Sequence, residues 1–490
     1  MITAPLCVLV RHRRFAWAIA TAVTWCTFVL ALALLELVLE TGTLSYAVGG
    51  WPPPWGIELR VEPVNAWVLF IVSGVSAVVL TAAPRSFNQE VPHGRHYLAY
   101  GTFLLCMTGL LGMASAGDAF NVFVFLEISS LSAYALVALG RSRRALTSAF
   151  RYLMMGTTGG TFILLGVGLL YAATGTLNLH DLSQRLVGLE DSRTVLVALA
   201  CIVVGTTIKL ALLPLGAWLP NAYTFAPSVV TAFLAATATK VAYYVLVRFV
   251  YRVFGTEVAF ERLHLDDVLL PLALVSMFLG SVLAIYEPDV KRLLAYSSLA
   301  QIGYMVLGLA LASSTGLTGG IVHLFNHALM KSGLFLVLAC IALRVGGTRL
   351  DDFAGLGRCM PWTAGLFVVG GCSLIGVPLT VGFVSKWYLV RAALEQGRGL
   401  IAFLILVSSL LSLAYVWKVV ETLYFRAGPS PRTIREAPLG LLLPAAFLIV
   451  ATVYFGIFTE DTVGVAVHAA ELLIEGPLPV DSATVVGASP

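Results

Sequence analysis

Long apolar segments recur along the whole chain and are separated by short polar loops. An apolar run of about 18 to 25 residues is long enough to cross about 30 Å of hydrocarbon as an α-helix. The pattern predicts thirteen such spans, at residues 15–39, 64–83, 97–116, 118–139, 147–173, 194–215, 228–250, 268–287, 292–311, 317–343, 361–394, 399–425 and 437–458. The chain is therefore predicted to be an all-α polytopic membrane protein.

A shorter apolar run stands before the first span. Residues 1–10 reach only about half the length that a span needs, and Arg11, Arg13 and Arg14 follow them. We interpret this run as the second half of a shortened first helix, which gives about 13–14 helices in total. A signal peptide is the alternative, but its charges would precede the apolar run and a small-residue cleavage site would follow it.

Composition and charge support a membrane location. Hydrophobic residues make up 59% of the 490 residues and charged residues 11%, and the mean hydropathy is +0.92, whereas soluble domains carry about 25% charged residues. The loops on the side of residues 11–14 hold most of the loop arginines. By the positive-inside rule this side is cytoplasmic, and we expect a multi-pass protein of the cell inner (plasma) membrane.

Lysine and arginine are distributed differently between spans and loops. The arginines lie in loops or at span ends, whereas five of the six lysines lie within spans: Lys209, Lys240, Lys331, Lys386 and Lys418. Arginine keeps its proton in a protein, whereas a buried lysine can release its proton and regain it beside a carboxylate. Lys418 lies near a span end and can reach the interface. The other four lie near mid-span, where charges are costly and usually functional, so we predict that they transfer protons.

Other titratable groups lie at membrane depth. Glu127 is the carboxylate that we place at mid-membrane, and a later span carries His323, His327 and Lys331 at i, i+4 and i+8. This spacing places the three on one helix face over about 12 Å, and histidine changes charge near neutral pH. A haem or metal site at the histidines is the competing interpretation, but no further ligands accompany the pair and Lys331 would repel a cation.

An internal repeat divides the chain. Residues 126–140 match residues 294–308 at an offset of 168, which places Ala295 opposite Glu127, and 175–182 match 347–353 at an offset near 171. Because each unit holds five helices, an odd number, the two units are predicted to be inverted repeats. The predicted domains are N-terminal helices at 1–96, a first five-helix repeat at 97–250, a second at 251–425, and a C-terminal helix and tail at 426–490.

Each repeat contains a span interrupted by proline, at residues 209–220 and 371–390. Proline removes an intrahelical hydrogen bond, and in lipid the freed carbonyl must face protein, water or an ion. Since Lys209 and Lys386 lie beside the two breaks, we expect the ion path to pass there.

Motifs for other chemistry are absent from the sequence. It has no Walker A motif, no G-x-G-x-x-G between a strand and a helix, no C-x-x-C pair and no soluble region large enough for a catalytic site. We predict no catalytic residue, no cofactor and no metal in this chain, and no nucleic-acid partner.

Six motifs resemble one known family. They are FLEISSLSAYAL, KLALLPLGAWLPNAY, APSVVTAFLAATATKVAYY, KRLLAYSSLAQIGYMVLG, HLFNHALMKSGLF and VPLTVGFVSKWYL. In this order they resemble the antiporter-type proton-translocating subunits that respiratory complex I, membrane-bound hydrogenases and Mrp-type Na+/H+ antiporters share. The GGWPPPWGI loop and the lysine at position 386 are most similar to the D subunit of Mrp antiporters, although complex I has a related subunit with the same lysine.

The resemblance implies about fourteen helices, with the first one shortened here, and a role for each buried group. The implied roles are a gating ion pair for Glu127 and Lys209, the central relay for Lys240, the link for His323, His327 and Lys331, and the exit-side group for Lys386. The resemblance also implies partner membrane subunits in a hetero-oligomeric complex, with H+ and Na+ as the transported ions.

Three functions are open on this basis. The first, which we favour, is a proton-translocating subunit of a multisubunit monovalent cation (Na+)/H+ antiporter. The second is the proton-pumping membrane subunit of a redox complex of the NADH-quinone oxidoreductase or membrane-bound hydrogenase type. The third is a stand-alone solute carrier, which would act without partners. In all three, the chain itself performs no catalytic chemistry.

Overall fold

The computed structural model describes residues 1–427, 434–475 and 484–486. Helices hold 81% of these described residues, and three short strands among them form one small sheet in the order β2-β1-β3. The predicted all-α polytopic fold is therefore confirmed. Parts of the predicted C-terminal segment 426–490, at 428–433, 476–483 and 487–490, lie outside the described residues.

The first half of the chain begins with a short helix and a long one, followed by a β-hairpin. Its elements are α1 (Thr3–Val10), α2 (Arg13–Thr41), β1 (Leu44–Ala47), β2 (Glu58–Val61), α3 (Pro63–Glu90), α4 (His96–Ser115), α5 (Ala119–Ala138), α6 (Arg143–Thr174), α7 (Leu179–Arg185), α8 (Arg193–Leu210), α9 (Leu219–Phe225) and α10 (Ser228–Val247). A π-helical segment, Arg248–Val253, extends α10.

The second half follows a second π-helical segment, Glu257–Arg262. Its elements are α11 (Leu265–Tyr286), α12 (Val290–Ala310), α13 (Ser314–Val345), α14 (Leu356–Cys359), α15 (Pro361–Ile375), α16 (Val381–Glu395), α17 (Gly399–Tyr424), α18 (Leu439–Ile457), α19 (Glu460–Ile474) and β3 (Thr484–Val486).

The predicted spans correspond closely to helices. Twelve helices among the described residues are long and apolar enough to cross a membrane. The predicted span 361–394 consists of α15 and α16, each of 15 residues, and neither is long enough to cross alone. The predicted span 194–215 ends early, because α8 stops at Leu210.

Hydrogen bonds between loops define one end of the bundle. Ser228 at the start of α10 donates to Glu90 at the end of α3 over 2.6 Å, and Lys291 in the first turn of α12 donates to the carbonyl of Ala226 over 2.6 Å. Arg144, in the arginine cluster that follows α5, lies against the same loop. We call this end the arginine-rich face.

The other end, the opposite face, holds the starts of α3 and α5. Gly117, just before α5, donates its backbone N–H to Glu58, just before α3, over 2.7 Å. Arg248, at the end of α10, donates to the carbonyl of Ala116. α5 therefore starts at the opposite face, whereas α12 starts at the arginine-rich face.

The two repeats share hydrogen bonds at positions 171 apart. Asp118 accepts from the backbone N–H of Asn121 at the start of α5, and Asp289 accepts from that of Arg292 at the start of α12. Two neighbouring backbone hydrogen bonds correspond at the same offset. Since these caps lie at opposite ends of the bundle, the units are inverted, as the odd helix number predicts. The domain boundaries themselves stay a prediction.

The offset of 168 in the sequence match was wrong for this helix pair. With the caps 171 positions apart, the position equivalent to Glu127 is Ser298 and not Ala295. A slip of three residues is close to one helical turn of 3.6 residues, so it keeps apolar residues on the same face and gives a similar match.

The Gly- and Pro-rich loop before α3 forms a β-hairpin, and it contributes to a buried ionic cluster. Glu62 pairs with Arg60 and with Arg252 at 3.1 Å each, and Arg60 lies 3.7 Å from Glu58. Arg248 lies beside this cluster. These charges connect the hairpin to the end of α10, and no pattern in the sequence indicates the pairing.

The helix that follows the last predicted span, α19, was not predicted. Its Ala466, Ala469 and Ala470 are buried against the bundle. It has 15 residues and begins with two acidic residues, so it is too short and too polar at its start to register as a membrane span.

The ionic cluster generates a pH-dependent prediction. Burial alone would raise the pKa of Glu62, but Arg252, Arg60 and Arg248 hold this pKa below its ordinary value of 4.5. The charged carboxylate therefore stabilises the fold above about pH 4.5, and this stabilisation is lost as the pH falls through the lowered pKa. We predict that Glu62→Gln lowers the Tm at pH 7 by several degrees, because buried guanidinium groups lose their carboxylate.

The difference in Tm between wild type and Glu62→Gln should shrink as the pH falls below about 4.5. Thermal scanning fluorimetry of the detergent-solubilised protein measures it. Glu475→Gln, at an exposed position just after α19, is the control and should match wild type. Identical Tm profiles for wild type and Glu62→Gln would contradict the prediction.

Candidate proton-transfer site

The first break in a membrane helix exposes the end of α8 inside the bundle. α8 ends at Leu210, and Ala211 follows in the left-handed region with φ 65°. The chain then runs through Pro214 to α9. Trp218 donates its indole N–H to the carbonyl of Ile208 over 3.1 Å, so protein satisfies part of the backbone that the break frees. The last turn of α8 thus lies beside an irregular segment, whose backbone polar groups are not all bonded within a helix.

Lys209 lies in that last turn and faces α5. Its ammonium donates to Ser130 Oγ over 2.8 Å and to the Tyr134 hydroxyl over 3.4 Å, and it lies 3.5 Å from Glu127 Oε1. At this separation the Coulomb attraction is about 4 to 5 kcal/mol at an effective dielectric of about 20. The structure therefore brings together the two groups that the resemblance pairs.

Two glycines of α6 make room for this pair. A Cβ atom at Gly160 would overlap Glu127 Oε1, and one at Gly156 would overlap the Tyr134 hydroxyl. Both glycines are buried. The absence of side chains at these two positions lets the carboxylate and the phenol reach Lys209.

Glu127 is not fully enclosed by this chain. Its side chain is 26% exposed, whereas that of Lys209 is 8% exposed. Glu127 Oε1 accepts no hydrogen bond from the described residues and has only the ion pair. The carboxylate can therefore also interact with a group outside this chain.

A small cavity adjoins Lys209 on the side of α10. Its volume is about 30 Å³, and Ser129, Ser130 and Ala242 are among its lining residues. This volume holds about one water molecule. Ala242 belongs to α10, the helix that carries Lys240, so the cavity separates Lys209 from that helix.

Lys240 is fully buried in α10. Its ammonium donates to the carbonyl of Ala235 and, over 3.3 Å, to Thr239 Oγ1. No carboxylate within 4.0 Å pairs with it among the residues that the structure describes. Lys331 is the charged neighbour that acts on it most strongly. Lys240 and Lys331 on α13 thus interact through their charges and share no direct hydrogen bond.

The three titratable side chains predicted on one face of α13, His323, His327 and Lys331, are fully buried. The rings of His323 and His327 are 5.9 Å apart, and His323 Nδ1 lies 2.8 Å from Ser385 Oγ. Lys331 donates to the carbonyl of Leu294 over 2.9 Å and to Ser297 Oγ. Neither ring nitrogen of His327 has a hydrogen-bond partner within the described part of the chain. Its link to a neighbour therefore needs water.

Lys386 lies beside the second break. It donates to the carbonyls of Leu374 and Ile375, at 3.0 and 2.8 Å, which are the last residues of α15. Its ammonium also lies 4.9 Å from the centre of the Tyr304 ring. The freed carbonyls of the broken helix thus hold an ammonium, as the sequence predicts for a break in lipid.

The structure agrees with the sequence-based interpretation of Lys418 but not with that of Lys291. Lys418 donates to the carbonyls of Ile285 and Glu287 at 2.9 and 3.0 Å, so it caps α11 and lies outside the relay. Lys291 was assigned to a loop, but it lies within α12 and is 5% exposed. A cavity of about 540 Å³ opens beside Lys291 at the arginine-rich face.

Sequence reasoning missed the hydroxyl groups that hold the lysines. They are Ser130 and Tyr134 at Lys209, Thr239 at Lys240, Ser297 at Lys331, and Ser385 at His323. Serine and threonine are common on membrane helices, where most bond to their own helix, so no local pattern singles these out. No group of three His, Cys, Asp or Glu that could hold a metal occurs within the described ranges.

The broken helices, the buried lysines and the paired glutamate together correspond to a known family. Residues 116–412 match the model of the NADH:quinone oxidoreductase/Mrp antiporter transmembrane family. The chain belongs to this family. Membership and the twelve apolar helices confirm the predicted resemblance and the multi-pass membrane location.

Relatives in the family include subunits of redox complexes and subunits of antiporters. The N subunit of the NADH-quinone oxidoreductase of Desulforudis audaxviator is 42% identical over 453 residues, covering 90% of each chain. The D subunit of the Na(+)/H(+) antiporter of Alkalihalophilus pseudofirmus is 29% identical over 448 residues, covering 91% of this chain and 89% of that one. A chain of the Mrp complex from Dietzia sp. superposes with a TM-score of 0.89 at 26% identity, covering 97% and 95%. The family is confirmed, whereas the narrower similarity to one subunit type stays a prediction.

The glycine at position 160 allows a test of the ion pair that leaves both charged residues in place. We predict that Gly160→Ala reduces proton transport at least tenfold, because the added methyl group displaces Glu127 from Lys209. Gly168→Ala on the same helix is the matched control, since its Cβ would meet nothing within 4 Å. The measurement is the rate of pH change in everted membrane vesicles, with the amount of assembled protein determined in parallel. Equal rates for the two variants would show that the position of Glu127 is not critical.

Proposed function

We propose that this chain translocates protons across the membrane as one subunit of a multisubunit complex. The proposed path consists of Glu127, Lys209, Lys240, His323, His327, Lys331 and Lys386. The observation that supports it most is the Lys209–Glu127 pair at 3.5 Å. It lies at the start of a series of buried bases, of which the lysines bond hydroxyl and carbonyl oxygens. Such groups are costly in a membrane and are typical of proton relays.

Transfer depends on the position of Glu127. While the carboxylate lies beside Lys209, it favours the protonated ammonium. When a cation or a charged group of a neighbouring subunit draws Glu127 away, burial makes the ammonium less stable, and the proton leaves towards Lys240. The 26% exposure of Glu127 leaves it accessible to such a group. No covalent chemistry is needed in this chain.

From Lys240 the proposed path continues to α13. Lys331 and the two histidines act on each other and on Lys240 through their charges, so a proton on one of them disfavours a proton on the next. This repulsion drives a proton onward to Lys386 at the second break. The carbonyls that hold Lys386 stabilise its charged form before release.

Two host complexes fit this proposal. The first is a multisubunit Na+/H+ antiporter of the Mrp type, supported by the loop before α3, by Lys386 and by the similarity to a chain of an Mrp complex. The second is a redox-driven proton pump, which the 42% identical relative, named as the N subunit of an NADH-quinone oxidoreductase, favours. In both hosts the chain works with other membrane subunits, and its proton path is the same.

Loss of Lys209, the first base of the proposed path, tests the relay. We predict that Lys209→Ala abolishes transport while the complex still assembles, because Glu127 loses its ammonium partner and the path loses its first base. Everted vesicles report transport as a pH change after addition of NaCl or of NADH. The matched control is Lys418→Gln, which removes a membrane lysine that caps α11, and it should retain transport. Wild-type transport by an assembled Lys209→Ala variant would rule out the relay.

Isolation of the native complex decides between the hosts. We expect affinity purification of this chain in mild detergent to recover further membrane subunits. Recovery of small membrane subunits only, with Na+-dependent H+ exchange, supports the antiporter. Recovery of iron–sulfur proteins supports the redox pump. Full transport by the purified chain alone would contradict both.

A further inference from the structure

A cluster of buried polar atoms between α12 and α17 lacks hydrogen-bond partners in the described part of the chain. Both polar atoms of the Gln301 amide, Ser408 Oγ and the Tyr415 hydroxyl accept or donate no hydrogen bond among the described residues. All three residues are 0% exposed. Buried polar groups in proteins are nearly always hydrogen-bonded, to protein or to ordered water, so this concentration of unbonded atoms requires a physical explanation.

The unbonded atoms face one another across the two helices. The Tyr415 hydroxyl lies near the side chains of Ser297 and Gln301. The Tyr304 hydroxyl lies near Ser408 and is 3.5 Å from the hydroxyl of the next serine. We call Ser297, Gln301, Tyr304, Ser408 and Tyr415 the hydroxyl–amide ladder. Four of its polar atoms have no hydrogen-bond partner among the described residues, so bound water would satisfy them.

Helix geometry gives the ladder its direction. Ser297, Gln301 and Tyr304 occupy positions i, i+4 and i+7 of α12, so they lie on one face over about 10 Å. Ser408 and Tyr415 are two turns apart on α17. Ser408 is level with Tyr304, and Tyr415 is level with Ser297. The ladder therefore runs parallel to the helix axes over about two turns.

Each end of the ladder contacts a lysine of the proposed path. At one end, Ser297 Oγ accepts a hydrogen bond from the Lys331 ammonium. At the other end, the Lys386 ammonium lies 4.9 Å from the centre of the Tyr304 ring. The His323 ring is 5.6 Å from the same tyrosine ring. The ladder thus connects the two lysines that His323 and His327 connect on α13.

We propose that the hydroxyl–amide ladder binds water and forms a second proton link between Lys331 and Lys386, parallel to the histidines. The Lys331 ammonium donates a proton to the first water, each water passes one proton to the next, and the Lys386 amine accepts the last. No ladder residue changes its charge, and one proton leaves Lys331 for each one gained by Lys386. This inference rests on the proposed function of the chain.

The first repeat supports a role for position 301. Gln301 is 171 positions after Ser130, the offset at which the helix caps of the repeats correspond. Ser130 accepts a hydrogen bond from the Lys209 ammonium over 2.8 Å. The same site in the fold therefore holds a polar group in both repeats, and in the second repeat it lies one turn after Ser297, which accepts a hydrogen bond from Lys331.

Three substitutions separate a role in proton transfer from a role in packing. Gln301→Leu preserves volume and removes polarity, whereas Gln301→Ser loses volume but keeps a hydroxyl, as at Ser130. Tyr415→Phe removes only the hydroxyl. We expect Gln301→Leu and Tyr415→Phe to lower the transport rate in everted vesicles at least fivefold, and Gln301→Ser to stay within about twofold of wild type. A packing role would produce the reverse order at position 301.

Controls keep the inference and the proposed function distinguishable. Ser281→Ala removes a buried hydroxyl that bonds within its own helix, α11, and should leave the rate unchanged. Lys331→Ala, in the same vesicles with assembly verified, tests the proposed function itself. If Lys331→Ala abolishes transport but Gln301→Leu and Tyr415→Phe retain the wild-type rate, the ladder is overturned and the relay stands. If Lys331→Ala also transports normally, the proposed function fails.

Discussion

The cost of holding positive charge in hydrocarbon governs this structure. An ammonium at membrane depth must have a carboxylate, several oxygen acceptors or a neutral state. Lys209 has a carboxylate at 3.5 Å and a serine hydroxyl, whereas Lys331 and Lys386 have backbone carbonyls of neighbouring helices. The helix breaks, the glycines of α6 and the inward hydroxyls are the features that supply these oxygens. Removing any of them would leave a charge without compensation.

The two repeats stabilise a buried ammonium with different residues. Both place an ammonium between the second and third helices of the unit. In the first, the lysine comes from the broken helix and Gly160 leaves space for Glu127. In the second, Lys331 stands 171 positions after Gly160 and reaches the serine face of α12 directly. In the first repeat, this arrangement of helices therefore holds an ammonium paired with a partly exposed carboxylate. In the second repeat, it holds an enclosed ammonium without a carboxylate.

Fixed and titratable charges are kept apart. Arginines, which do not release protons, pair with Glu62 at the opposite face and cluster with Arg144 at the arginine-rich face. Between these two layers, the described spans carry lysine and histidine as their buried bases. The arginines therefore fix the ends of helices, and the buried groups that can release a proton lie between them. α10 shows this separation within one helix, since Lys240 lies inside it and Arg248 lies at its end. Nearly all residues of α10 are buried, so it lies inside the bundle.

Much of this was determined by the sequence alone. The lengths of the apolar runs predicted the spans, the restriction of lysine to spans indicated which lysines are buried, and the prolines predicted both breaks. Hydrophobic length, charge cost and backbone chemistry are local properties, so the sequence alone reveals them. The tertiary structure alone decided which groups face each other: Ser130 and Ser297 as lysine partners, Ser298 as the counterpart of Glu127, and the pairing of Glu62. A hydroxyl or a carboxylate acquires its role from the helix packed against it, and that depends on contacts between residues far apart in the chain.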